Sequence, residues 1–175
     1  MKNEKSKIEN SRRVLGIDPG TGKLGWAVVS KQLSGVSCQY LGQPLSLLDC
    51  GLIETPANTP LADRLELIFK DLTKIIKKYS PDVMAIEELF FVKNIKTGIS
   101  VAHARGVAML CGKQDGLEIF EYKPNEIKLG IAGYGHASKD QIIKMLKLHL
   151  PGCNIKQDDT ADAVAIALYH LQVQK

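Results

Sequence analysis

The sequence predicts one α/β domain, in which a mixed β-sheet carries helices on both faces. Before Thr59, short apolar segments separated by Gly, Pro and Ser follow one another at hairpin spacing, which is typical of an antiparallel meander. After Thr59, segments with helical periodicity alternate with short apolar strands. A chain of 175 residues has room for one such domain but not for two. We therefore expect a leader over residues 1–11, polar and disordered, and a single domain over 12–175.

Composition narrows the class of protein. The chain is 45% hydrophobic and 24% charged, as in ordinary globular proteins, and its net charge of +4 suits a polyanionic partner without requiring one. No apolar run approaches the roughly 18 residues of a membrane span, so we expect no membrane association. The four cysteines have no CxxC spacing, which favours reduced thiols in a cytoplasmic protein.

The first predicted strand, over residues 14–17, ends on Asp18, and Pro19-Gly20 then turns the chain into a second strand over 24–29. A carboxylate at the end of a central strand needs a cation, a proton or hydrogen bonds. Asp before Pro-Gly is also a common turn residue, so this segment alone leaves both interpretations open.

The remaining elements follow from periodicity and from capping residues. Thr59-Pro60 predicts the start of a helix that Ser80-Pro81 ends, with Pro60 at the first helical position. Further strands are predicted over 36–41, 47–55, 82–86 and 117–122, and the strand over 82–86 ends on a second acid, Glu87. Helices are predicted over 96–113, 124–128, 139–150 and 158–172, with Gly130, Gly133 and Gly135 in a flexible loop and a capping box at Ser138 and Gln141.

Four acids are expected to converge. Asp18 and Glu87 end two strands of one sheet, and neighbouring strands lie only about 4.8 Å apart. The last helix adds Asp159 and Asp162, which share a face at spacing i, i+3. Asp158 and Asp159 also suit the N-terminus of a helix through its macrodipole, but this does not account for Asp162. Converging carboxylates need cations between them, and Mg²⁺ or Mn²⁺ suits such hard oxygen ligands. Two such ions about 4 Å apart promote phosphodiester cleavage.

The sequence resembles the RuvC family of Holliday junction resolvases in four segments. These are Gly16-Ile17-Asp18-Pro19-Gly20, Ala85-Ile86-Glu87 followed by Phe90 and Lys93-Asn94, Ala104-Arg105-Gly106, and Asp159-Thr160-Ala161-Asp162-Ala163. The segments match in order and spacing over roughly residues 12–173. The charged leader and extra residues near 42–49 depart from the family pattern, which leaves the lengths of the early strands open.

The resemblance implies an RNase H-like fold, which we expect as a mixed five-stranded sheet, and a homodimer that nicks opposed strands of four-way DNA junctions in recombination and repair. It implies two Mg²⁺ ions per site, with Mn²⁺ as an alternative, and coupling to a branch-migration motor complex. The residues that it assigns are the catalytic, metal-binding acids Asp18, Glu87, Asp159 and Asp162, and the DNA-binding residues Phe90, Lys128 and Lys139.

The sequence also leaves three other functions to consider. The first is a related RNase H-fold nuclease that acts on RNA or on another branched DNA. A panel of junctions would separate it from a resolvase, which prefers four-way junctions over duplex. The segment 16–22 is also similar to the phosphate loop of actin-like ATPases and sugar kinases, but those enzymes need two such domains. A catalytically silent DNA-binding module is disfavoured by the complete set of acids. The residues alone also leave Lys128 and Lys139 open to a solubilising role, and Phe90 to a place in the core.

Overall fold

One five-stranded sheet organises the molecule. The computed structural model describes residues 11–32, 45–89, 95–153, 155 and 158–174, without the side chains of 95–97, 158 and 159. The strands, in sheet order β3-β2-β1-β4-β5, are β1 Ser11–Asp18, β2 Lys23–Gln32, β3 Leu45–Glu54, β4 Val83–Glu87 and β5 Glu118–Tyr122. The helices are α1 Leu61–Tyr79, α2 Ile95–Gln114, α3 Pro124–Ala132, α4 Lys139–His149 and α5 Asp158–Val173.

The sheet is mixed, as predicted. β1, β2 and β3 pair antiparallel, with a register shift between Val28 and Val29, whereas β4 pairs parallel with both β1 and β5. The parallel strands are joined through helices, because a parallel connection needs a crossover. The predicted hairpin between β1 and β2 is confirmed from Ser11, opposite Gln32, to Asp18, opposite Gly25.

Strand alternation divides the core between the two faces of the sheet. Along β1, Val14 packs into the core formed with α3, α4 and α5, whereas Leu15 and Ile17 pack into the core formed with α1 and α2. All three side chains are fully buried. Both faces of β1 are therefore covered, which explains why its sequence is continuously apolar rather than alternating.

Helix α5 lies unusually close to the centre of the sheet. A Cβ atom on Gly16 would overlap the carbonyl oxygen of Ala163 and would stand 2.8 Å from the amide nitrogen of Ala167. Only glycine fits at this position of β1. From residue 163 to residue 168 every residue of α5 is buried, so this part of the helix is a core element.

Two predicted helix boundaries were wrong. Pro60 is the residue before the first turn of α1 rather than its first helical residue, and no side chain caps this helix. The Pro60 carbonyl instead accepts hydrogen bonds from the amides of Asp63 and Arg64, at 3.1 and 3.2 Å. At the other end, Ser80 adopts the left-handed conformation with φ of 46° and ends the helix, as predicted.

The short helix predicted over 124–128 continues to Ala132, so Gly130 lies inside α3 and not in a loop. A Cβ on Gly130 would collide with the ring of Tyr169 on α5, which shows that the glycine serves helix packing. Gly133 ends α3 with φ of 71°, and the capping box of Ser138 and Gln141 begins α4 as predicted.

Several predictions fall on residues outside the description. These are the strand over 36–41, Phe90, and the leader except for its last residue, Ser11, which begins β1. The described cysteines, Cys50, Cys111 and Cys153, are free thiols. Within the described ranges, none of the helices combines the length and apolar character needed to cross a bilayer.

Candidate active site

The ends of β1 and β4 bring two acids together. The parallel register pairs Gly16 with Ala85 and Ile17 with Ile86, so the next residues, Asp18 and Glu87, reach the same edge of the sheet. Alternation then directs both side chains to the face that α5 covers, because Ala85 is part of that core. The predicted pairing of these two carboxylates is therefore present in the fold.

Helix α5 contributes the third acid. Asp162 directly precedes Ala163, whose carbonyl lies over Gly16, so the first turns of the helix stand above the β1 end that carries Asp18. Asp162 is partly buried and lines a cleft together with Glu87. Placement of the third acid thus depends on the absence of a side chain at residue 16.

Glu87 has a perturbed pKa, raised from 4.5 to about 7. Burial raises the pKa most, because it removes water from the charged form, and the nearby carboxylate of Asp162 raises it further. The cation of Lys128 and a side-chain hydrogen bond with Asp18 partly offset these effects. The three acids therefore form one electrostatically coupled site that favours a proton or a cation.

Two lysines complete the cleft. Its lining includes Lys128 on α3 and Lys139 at the start of α4, beside Glu87 and Asp162. The ammonium of Lys139 lies 3.4 Å from a carboxylate oxygen of Asp162, with 57% of the Lys139 side chain exposed. Both lysines thus lie beside the acids, as the resemblance to the RuvC family implied for cations near the site.

The turn that follows Asp18 is tied to three other elements. The hydroxyls of Thr21 and of Ser100 on α2 lie 2.5 Å apart, and the Thr55 hydroxyl donates to the Thr21 carbonyl. Arg64 on α1 donates from Nε to the Thr55 hydroxyl at 2.7 Å. These contacts fix the backbone just after the first acid.

Two predicted site residues are not placed. Phe90 lies outside the described residues, and Asp159 belongs to α5 but its side chain is not described. Among the side chains that are described, no group of three or more His, Cys, Asp and Glu residues forms a metal-binding cluster. The donor set nevertheless fits a hard cation, since it consists of carboxylate oxygens, and the pKa of Glu87 is held high by burial first and by the nearby carboxylate of Asp162 second.

One contact at the site was missed. Arg105 on α2 donates from Nε to the main-chain carbonyl of Glu87 at 3.1 Å and forms an ion pair with Glu121 on β5. The Ala104-Arg105-Gly106 segment supported the resemblance, yet no role was predicted for the arginine. The sequence did carry one signal for a buried polar contact, namely an arginine inside the apolar middle of a long predicted helix.

Comparison with known proteins identifies the family of this chain. The family model described as crossover junction endodeoxyribonuclease RuvC matches residues 14–170. The chain belongs to the RuvC family. A crossover junction endodeoxyribonuclease RuvC of Halothermothrix orenii is 45% identical over 158 residues, which are 90% of each chain. One of Brachyspira hyodysenteriae is 49% identical and covers 89% of this chain and 91% of its own.

Solved structures agree with the fold. A structure of Thermus thermophilus RuvC in complex with Holliday junction substrate superposes with a TM-score of 0.80, at 28% identity over 91% of this chain and 93% of that chain. The RNase H-like fold and the resemblance to RuvC are thereby confirmed. The protein is a crossover junction endodeoxyribonuclease, an enzyme that resolves four-way DNA junctions.

Proposed function

We propose that Asp18, Glu87, Asp159 and Asp162 hold two Mg²⁺ ions and cleave phosphodiester bonds in opposed strands of a four-way junction. One observation carries this proposal: the partly buried carboxyl of Glu87 is hydrogen-bonded to Asp18 and lies in the field of Asp162 and Lys128. A divalent cation bound between acids in this arrangement lowers the repulsion between their charged forms.

The carboxylates are hard oxygen donors, which Mg²⁺ and Mn²⁺ prefer over softer metals. Such a metal pair supplies an activated water and charge stabilisation of the leaving oxygen. The protein's own part is to fix the donors on two adjacent strand ends and one helix. In this proposal Asp159 completes the ligand set from the first turn of α5.

Lys128 and Lys139 are proposed to contact the phosphate being cleaved. Lys139 is held beside Asp162 by an ion pair in which both side chains remain partly exposed, so it remains accessible to DNA. A cation beside the developing negative charge stabilises the transition state. Phe90, three residues after Glu87, is proposed to contact a base at the junction.

A homodimer is proposed from the exposed face of α2. Ile99, His103, Gly106 and Leu110, at spacing i, i+4, i+7 and i+11, are all exposed, with exposed fractions of 51% for Ile99 and 55% for Leu110. A Cβ on Gly106 would meet nothing within 4 Å. Large apolar side chains on either side of an open glycine suit the close approach of a second helix, and a two-fold pair supplies two sites for paired nicks.

Family membership further supports a cytoplasmic enzyme that works with a branch-migration motor complex. Co-purification of the two tests the association with the motor complex.

The deciding experiment uses a labelled synthetic four-way junction and a duplex of the same sequence. We expect paired nicks in opposed strands of the junction with Mg²⁺, none with a chelator, and little cutting of the duplex. Equal cutting of both substrates, or cutting that survives the chelator, would contradict the proposal. A parallel series with Mn²⁺ tests the alternative ion.

A further inference from the structure

The peptide unit that follows Glu87 is held at both of its ends. Its carbonyl accepts a hydrogen bond from Nε of Arg105, at 3.1 Å. Its N–H, which belongs to Glu88, donates to the main-chain carbonyl of Tyr122 at 2.8 Å. β4 ends at Glu87, so these two bonds fix the strand end that bears the acid.

Arg105 is itself held in place. Its Nη2 forms an ion pair with the carboxylate of Glu121 on β5, and only 17% of its side chain is exposed. A guanidinium is planar, and its donors have a fixed relative geometry. A guanidinium anchored by Glu121 through one nitrogen therefore presents Nε to the Glu87 carbonyl in one defined direction.

We propose that Arg105 is a positioning residue for Glu87: through α2 and β5 it fixes the backbone that aims the Glu87 carboxylate at the site. The inference rests on the proposed metal-binding role of Glu87. It adds a residue that touches neither metal nor DNA but determines how accurately the acid is placed.

The expected effect follows from the accuracy that a metal-binding carboxylate needs. Productive geometry tolerates displacements of about 0.5 Å, and a glutamate side chain converts a small rotation of its peptide into a larger movement of its carboxylate. Loss of a residue that orients a ligand typically lowers metal affinity or activity by about 10–100-fold. Metal affinity and the cleavage rate should therefore change, while DNA affinity should not.

A purely structural role predicts something different. If Arg105 only joins α2 to β4 and β5, its loss lowers stability, and the folded fraction keeps the normal rate and the normal requirement for Mg²⁺. If Arg105 instead contacts DNA, its loss weakens junction binding. Rate, metal requirement and junction affinity must therefore be measured separately on folded protein.

The experiment compares Arg105→Gln, Arg105→Lys and Glu121→Gln with the unmodified enzyme. Single-turnover cleavage of the labelled four-way junction is measured at saturating enzyme over a range of Mg²⁺ concentrations. Junction affinity is measured with a chelator present, and folding is checked by thermal unfolding. Lys74→Gln is the control, because Lys74 is an exposed α1 residue paired only with Asp71 among the contacts described.

We expect Arg105→Gln to cleave about 10–100-fold more slowly, or to need correspondingly more Mg²⁺, with unchanged junction affinity. Arg105→Lys should recover part of the loss, because it keeps the charge beside Glu121, and Glu121→Gln should give a smaller defect. A normal rate and Mg²⁺ requirement in folded Arg105→Gln, or a defect explained by weaker junction binding, would overturn the inference. Glu87→Gln, run alongside, keeps the two proposals apart: normal cleavage by that variant would refute the role of Glu87 instead.

Discussion

Gly16 of β1 lies directly against Ala163 of α5, at a separation that no other residue at position 16 would permit. The atoms that a Cβ would meet are main-chain atoms of α5 and the Cβ of Ala167, at 2.9 Å, so no flexible side chain can move aside. Asp18 is two residues beyond Gly16, and Asp162 directly precedes Ala163. One packing contact therefore sets the distance between two of the proposed metal ligands.

Gly16→Ala should strongly destabilise the protein, because the new methyl group must push α5 away from the sheet. We expect a loss of about 3 kcal/mol or more in the free energy of unfolding, at the upper end of overpacking effects. Urea unfolding measures it. Gly135→Ala is the control, since a Cβ there meets only the Asn125 carbonyl at 3.7 Å and should have little effect. Equal stability of the two variants would contradict the close packing of β1 and α5.

The sequence predicted those parts of the fold that depend on local pattern. Strand ends at Asp18 and Glu87, the capping box at Ser138, and the order of strands and helices follow from periodicity and turn residues. The length of α3 was underestimated because Gly130 suggests a loop when it is considered by itself. Glycine is needed at position 130 because the ring of Tyr169, 39 positions away in the chain, packs against it. Contacts of this kind become apparent only once the chain is folded.

The same limit applies to the candidate site. The acids were predictable because strand ends and helical spacing bring carboxylates to one edge. The role proposed for Arg105 was not predictable, because it depends on contacts with the Glu87 carbonyl and with Glu121. No pattern in the sequence indicates either contact. The lysines were assigned through resemblance, and the structure places both beside the acids.

Asp18→Asn and Glu87→Gln should each abolish cleavage while junction binding stays normal or becomes tighter. Each substitution removes a proposed metal ligand and a negative charge near DNA, and we expect a rate loss of roughly a thousandfold or more. Cleavage and binding of the labelled junction are measured in parallel. Loss of binding together with cleavage would instead indicate a folding defect.

Unfolding of the metal-free protein gives an independent check on Glu87. Its folded-state pKa of about 7 lies above the unfolded value, so its contribution to stability is greatest at low pH and is lost as the pH rises from 4.5 to 7. Glu87→Gln should therefore be at least as stable as the unmodified protein at pH 8. A clear loss of stability at that pH would contradict the burial of Glu87 beside Asp162 that raises its pKa.

Leu110→Glu should convert the proposed dimer to a monomer, because it places a charge in the middle of an apolar helix contact. Sedimentation at micromolar concentration measures the change, and paired nicking should fall with it. Leu148→Glu is a matched control, since Leu148 on α4 is 73% exposed and lies outside the proposed interface. A dimer that survives Leu110→Glu but not Leu148→Glu would place the interface elsewhere.

His170 should make the protein sensitive to mild acid. It is fully buried, one ring nitrogen lies 2.8 Å from the Tyr122 hydroxyl, and burial lowers its pKa from 6.5 to about 4. The unfolded chain then binds the proton more readily, so stability is lost as the pH falls from 6.5 towards 4. This group should contribute a loss of about 2 kcal/mol between pH 7 and pH 5. Urea unfolding of His170→Gln should lack that component, and an unchanged pH dependence would contradict the prediction.

The last prediction distinguishes Asp158 from Asp159. Both belong to the first turn of α5, at spacings i, i+4 and i, i+3 from Asp162, and consecutive helix positions are about 100° apart around the axis. Asp159 is the proposed metal ligand, whereas Asp158 begins the helix, where an acid contributes about 1 kcal/mol through the macrodipole and little to catalysis. Under identical Mg²⁺, Asp158→Asn should retain nearly normal nuclease activity and Asp159→Asn almost none. The opposite result would mean that Asp158 faces the cleft with Asp162, and it would reassign the fourth ligand of the site.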